Sequence, residues 1–238
     1  MGACAFDKLF SINVPLILEK IFFHLDYDSF QQCLRVNKAW TELISSDLYL
    51  EKAKSMFEED ILEAQEKLWQ WSFRGNIKEV KSCLQKLFVD VNLNLGGMNG
   101  YIVCPAISVA ADNGHKEVVQ VLLDHGADVE SIGLFHTVPL HYAARGGSAE
   151  VSKLLLARGA SPNFANVRGW TPLHWACKIR IFRKTRLEAH LEVIRVLLDA
   201  GADPTIKDKD GKNPLDLVPA KKHRKIMAKV MAERGWQL

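Results

Sequence analysis

The sequence predicts an all-α chain: a solenoid of stacked helix pairs with β-turn or hairpin fingers, preceded by a short three-helix bundle. Three observations carry this reading. The block "AISVAADNGHKEVVQVLLDHGADVE" at Ala106 recurs as "PLHYAARGGSAEVSKLLLARGASPN" at Pro139 and as "PLHWAC" at Pro172, with a period of 33 residues. The closing glycines Gly126, Gly159 and Gly201 keep step with it, one interval being lengthened to 42. Residues 10–50 lie outside the period and form a separate apolar cluster. A fixed period of this length marks a stack in which each unit buries its apolar face only against its neighbours.

In chain order, Pro15 opens a first helix whose Leu18, Ile21, Phe22 and Leu25 share a face. The stretch "DYDSF" makes a turn with Asp28 as its cap, followed by Phe30, Cys33, Leu34 and Val36. Trp40, Leu43 and Ile44 supply a third apolar group. Three short helices in about forty residues are too small a core to stand alone, so their uncovered apolar faces invite a partner. Residues 51–66 are rich in Glu and lack Pro and Gly. They predict a helical connector that packs the bundle against the first repeat.

Residues 67–235 hold about five units by the repeat spacing. Thr171–Pro172 sets Thr before a Pro suited to the first helical position. Small pairs, Ala143–Ala144 and Ala176–Cys177, let a neighbouring helix approach. On the second helix Val118, Val119, Leu122 and Leu123 share a face, and Gly126 ends it. The first unit, "LWQWSFRGNIKEVKSCLQKLFVDVN", lacks the Thr-Pro start, and the last, "DGKNPLDLVPAKKHRKIMAKVMAERG", has a polar second helix. Both suit terminal caps that must face water. The fourth unit carries a nine-residue insertion near 179–187, within the basic run "KIRIFRKTR". Thr185–Glu188 there fits a capping box, which predicts a second helix that starts early and gains about a turn.

The net charge of +3 hides a split: residues 1–66 sum to −6 and residues 67–238 to +9. Such asymmetry suits two parts with different partners. Five cysteines, widely spaced and without a C-x-x-C pair, exclude a disulfide framework or a zinc site and point to a reducing compartment. No signal peptide or apolar run long enough for a membrane span is read, so the expected location is cytoplasmic. The run "KKHRK" at 221–225 reads either as a nuclear import signal or as the solvated face of a capping helix. A charge of +9 without a stacking platform or reading helix disfavours nucleic acid. No nucleophile–base order, phosphate loop or paired carboxylates emerge, so no enzyme activity, cofactor or metal is expected.

The repeat resembles the ankyrin repeat, whose pattern is about 33 residues with T-P-L-H-x-A, and the resemblance covers roughly residues 62–235. It implies a protein-binding scaffold. His141 and His174 within the T-P-L-H turns, and His115 and His190 at the second-helix starts, are thereby expected to be structural. Residues 10–50 are similar to an F-box, through Val14–Pro15, Ile21, Leu25, the Asp28–Ser29–Phe30 turn, Val36, Trp40 and Leu43. Val14 stands where Leu is usual, and Asn37 where Cys is common. This second resemblance implies docking on the Skp adaptor of a cullin–RING ubiquitin ligase. Val14, Pro15, Leu18, Ile21, Leu25, Phe30, Val36 and Trp40 would carry that docking. The two together imply a substrate receptor. The alternative is a plain ankyrin scaffold or inhibitor in which residues 10–50 only cap the stack.

Counting within the repeat places Tyr101, Leu134, Phe135 and Arg168 at finger tips and Trp170 beside them. Tyr142, Arg145, Trp175 and Lys178 fall on concave-facing positions of the first helices. Aromatic residues with arginine are the composition of binding hot spots, although Trp175 or Tyr142 could equally pack between fingers. The insertion, with Arg180, Arg183, Lys184 and Arg186, is either a solvated loop or a contact for an acidic or phosphorylated partner.

Overall fold

The computed structural model describes residues 58–86, 89–96, 103–178 and 184–236, together with Ser29. Apart from Ser29, the residues on which the expectations for 10–50 rest therefore lie outside the described residues. The chain divides into two compact units, Met1–Glu63 with Lys86–Phe88, and Ala64–Gln85 with Val89–Leu238. The repeats make up the second.

Nine helices are present among the described residues. The first, α1 (Glu58–Arg74), opens with Glu58, Glu59 and Asp60 and closes with Arg74, so each end complements the helix dipole. Its pair is α2 (Ile77–Leu84), capped by the Asn76 side chain, which accepts from the Glu79 amide. A two-residue antiparallel pair follows, β1 (Leu95–Gly96) and β2 (Val103–Cys104), with Leu95 opposite Cys104.

Three helix pairs then repeat: α3 (Ala106–Asp112) with α4 (Lys116–Asp124), α5 (Pro139–Gly146) with α6 (Ala149–Ala157), and α7 (Pro172–Cys177) with α8 (Lys184–Asp199). The last unit has only a 3-10 turn, Pro214–Leu217, in place of a first helix, followed by α9 (Lys221–Ala232). First helices are buried almost all round: Ala106 to Ala111 in α3 and Pro139 to Ala144 in α5. They are sandwiched in series, α5 lying between α3 and α7. Second helices bury one stripe, Val118, Val119 and Leu122 in α4 and Val151, Ser152 and Leu155 in α6. A single apolar core runs through all units from Leu68 to Met231. This is the expected all-α solenoid.

The insertion changes α8 more than the capping-box reading predicts. The helix has 16 residues where α4 and α6 have 9. It begins at Lys184, so Thr185 lies inside the helix instead of capping it. Lys and Arg are good helix formers, and the basic run extends the helix by nearly two turns, about 10 Å.

Candidate protein-binding face

The geometry of the binding face is set by histidines that tie one unit to the next. The Val138 amide donates to His141 Nδ1 (3.3 Å), which leaves Nε2 protonated and donating to the Trp170 carbonyl (2.9 Å). In the next unit the Thr171 amide donates to His174 Nδ1 (3.1 Å), and Nε2 donates to the Lys212 carbonyl (3.2 Å). Burial pushes His141 down to about 4 against the opposing pull of its backbone hydrogen bonds, and pushes His174 down as well. Both are neutral near pH 7 with both nitrogens engaged. They are structural, as expected from the turn they occupy.

His115 and His190 reach the other way. Their Nε2 atoms meet the carbonyls of Phe73 (3.0 Å) and Arg145 (3.1 Å) in the preceding units. The junction between the second and third units is different. Ser108 stands one period before His141, and Ser148 one period after His115. The buried Ser108 hydroxyl has no hydrogen-bond partner among the described residues. A bidentate pair takes over there, with Arg145 Nε and Nη2 donating to the Asp112 carboxylate at 2.8 and 2.7 Å.

Around this pair lies a chain of aromatic and cationic side chains. The Arg145 guanidinium sits 5.0 Å from the Tyr142 ring centroid and 5.4 Å from that of Trp175. Burial disfavours its charge, but the Asp112 carboxylate more than offsets this and holds its pKa up. Trp175 meets Trp170 edge to face at 5.9 Å. The Lys178 ammonium lies 3.8 Å from the Trp170 ring centroid, and the Arg168 guanidinium 5.6 Å from it. Arg168 also lies 5.9 Å from the Phe135 ring. Burial, with Arg168 nearby, holds the Lys178 pKa below its usual value.

The expected contact residues divide into groups. Leu134, Phe135, Arg168 and Lys178 are exposed, while Trp175 and Arg145 are half-buried. Two expectations need correction. Tyr142 and Trp170 are buried, at 4% and 8% exposure. Trp170 packs between fingers, and its indole N–H donates to Asp208 Oδ2 (2.9 Å). Their rings support the face from beneath and do not present a free surface. Tyr101, Arg180 and Arg183 lie outside the described residues, as does the whole adaptor-binding set. Lys184 and Arg186 are described only as backbone positions in α8.

Sequence reasoning missed Asp208, which holds the last finger by accepting from the Asp210 and Lys212 amides (both 2.9 Å) as well as from Trp170. The signal was available: Asp208 stands 42 residues after Asn166, the same interval as the lengthened repeat, and both are Asx residues. Ile132, exposed beside the tips, was also outside the predicted set, whereas Val167 is exposed at its tip as the repeat count predicts.

The chemistry available here is adhesive. Burial pushes the Cys104 thiol up to about 11 and the Cys177 thiol up to about 12, so both are protonated and inert near pH 7. Among the described residues no group of His, Cys, Asp or Glu could hold a metal ion, and no helix is long and apolar enough to cross a membrane. Residues 68–166, 107–208 and 140–236 each match the family model described as "Ankyrin repeats (3 copies)". No curated protein matches the chain.

Proposed function

Since the chain belongs to the ankyrin-repeat family, whose members are protein-interaction scaffolds and generally not catalysts, we propose that it is the non-catalytic substrate receptor of a cullin–RING ubiquitin ligase. In this reading residues 10–50 are an F-box that docks on the Skp adaptor, residues 51–66 connect, and residues 67–235 hold the protein substrate. The observation that carries it is the ordered F-box pattern from Val14–Pro15 to Trp40–Leu43, joined to a repeat stack with an exposed aromatic and cationic face. A cytoplasmic or nuclear location suits it.

The test is co-purification of the full chain with the Skp adaptor. The double variant Pro15→Ala/Ile21→Lys is expected to lose the adaptor while circular dichroism of the repeats stays unchanged. Retained binding by the folded variant would refute adaptor docking through this segment. The second reading is a plain ankyrin scaffold or inhibitor with a helical N-terminal cap. It is favoured by the confinement of the family match to residues 68–236. It expects a stable protein that ignores the adaptor.

A further inference from the structure

Among the described residues, several charged side chains on the repeats are tied into ion pairs. Lys116 and Lys153 share Glu150, Arg158 pairs with Asp124, Arg234 with Asp199, and Arg145 with Asp112. Arg168 and Lys178 form none of the ion pairs found among the described residues. Both are exposed, and both sit within cation–π range of one indole, that of Trp170. The nearby carboxylate of Asp208 is already engaged by the Trp170 indole and by the Asp210 and Lys212 amides. Two like charges held against one ring repel each other, which partly offsets their attraction to the indole.

Beside this pair, the fingers expose Ile132, Leu134, Phe135 and Val167 at 44%, 44%, 58% and 46% of their surface. Arg168 joins the two features, since its guanidinium also lies against the Phe135 ring. Phe135 itself is held at φ 58°, a left-handed conformation that bulky residues rarely adopt. The main chain thus bears strain at the very residue whose ring stands in solvent. Strain of this kind concentrates where a side chain is aimed at a ligand.

We propose that Arg168 and Lys178 at the Trp170 ring form a clamp for a carboxylate side chain of a protein partner, whose adjacent apolar residue rests on the ledge of Leu134, Phe135 and Val167. The partner segment is an acidic peptide with an aromatic or aliphatic residue next to its Asp or Glu. A phosphate group fits less well. Phosphate recognition calls for clustered arginines or a nest of free amides, and here one Arg and one Lys already face aromatic rings. This inference rests on the reading of the repeats as the substrate-binding part. It adds the chemical class of what they select.

The experiment is selection from a display library of short random peptides on the full chain, followed by affinity measurement on the best peptide. Expected winners carry Asp or Glu beside Phe, Leu or Ile. The variant Arg168→Gln/Lys178→Gln should bind the best peptide at least about tenfold more weakly and with a flatter salt dependence, because an exposed charge contact is screened by salt. Both residues are exposed, so the variant should fold as the wild type does. Phe135→Asn should weaken the same peptide several-fold at every salt concentration. Winners without acidic residues, an unaffected double variant, or no enriched peptide would each overturn the clamp. So would a requirement for phosphoserine in place of the carboxylate. Winners without acid that still lose affinity in Trp175→Ala would overturn the clamp and leave the face as a binding surface. Adaptor capture by the same preparations reads the N-terminal segment independently.

Discussion

The fingers at Gly133–Thr137 and Asn166–Trp170 occupy successive places in the repeat and turn by different means. In the second, Asn166 Oδ1 accepts from the amides of Arg168 (2.9 Å) and Trp170 (3.1 Å), and Gly169 takes the left-handed position at φ +75°. The next finger repeats the device with Asp208 and Gly211. The first reverses it: Gly133 stands at the Asx place and His136 at the glycine place. It therefore has no side-chain acceptor, and Phe135 and His136 both adopt positive φ, 58° and 60°. Such residues cost about 1–3 kcal/mol each and persist only where surroundings hold them. Here the Gly133 amide donates to the Thr137 carbonyl (2.9 Å), the Val167 amide to the Phe135 carbonyl (3.1 Å), and His136 stacks on Phe164. Gly133 itself is fixed by crowding, since a Cβ there would lie 3.2 Å from the Cys104 side chain and 3.3 Å from the Tyr142 hydroxyl. The difference teaches that an Asx turn can be dispensed with when the neighbouring finger supplies the missing restraint.

The largest effect should come from removing what locks the relaxed fingers together. Trp170→Ala deletes a buried indole, its bond to Asp208 and its edge contact with Trp175. It should destabilise the repeats by about 3–5 kcal/mol, read as a lowered denaturation midpoint. Unchanged stability would mean that the fingers are held without it.

The next test acts on the bond between the two compared fingers' units. His141 is held neutral by burial, with its pKa lowered from 6.5 to about 4. The unfolded state takes up the proton first, so its contribution is full above the unfolded value and lost as pH falls from about 6.5 toward 4. His174, shifted the same way, adds in the same direction. Denaturation at a series of pH values should show a loss of about 3 kcal/mol from His141 across that window. A flat profile would contradict a buried neutral ring.

The smallest effect is a gain. Asn accepts left-handed φ far more readily than Phe, and the Phe135 ring is exposed. Phe135→Asn should raise stability by about 1 kcal/mol, visible as a higher melting temperature. A loss of stability would show that the ring contributes to the fold and is not held out for a partner.

Much of the fold was legible because the repeat writes its period into residues that can do only one job. Pro172 at a first helical position and Val118, Val119 and Leu122 on one stripe fix helix starts and buried faces locally. The structural roles of His141 and His174 followed from the same turn. The start of α8 was not legible, because Lys and Arg in the basic run favour helix as strongly as the capping box favours a start at Thr185. The burial of Tyr142 and Trp170 was also hidden. A concave-facing position says which way a side chain points, and whether a neighbour covers it depends on residues 33 or more positions away. The strain at Phe135 could not be read from its identity at all, since it follows from the exchange of Asx and Gly at Gly133 and His136.

The serine pair at Ser108 and Ser148 has a mechanical consequence. Force applied to the two ends of the array loads its junctions in series, and each parts when its own contacts fail. At the junctions around the fourth unit, His141, His174 and His190 clip a ring to a neighbour's main chain, and His115 does so between the first and second units. Between the second and third units the polar ties include the charged pairs Arg145–Asp112, Lys116–Glu150 and Arg158–Asp124, with no imidazole among them. Under tension that junction should lose more of its hold in high salt than its neighbours do, like one coil of a spring whose stiffness is set by the surrounding solution.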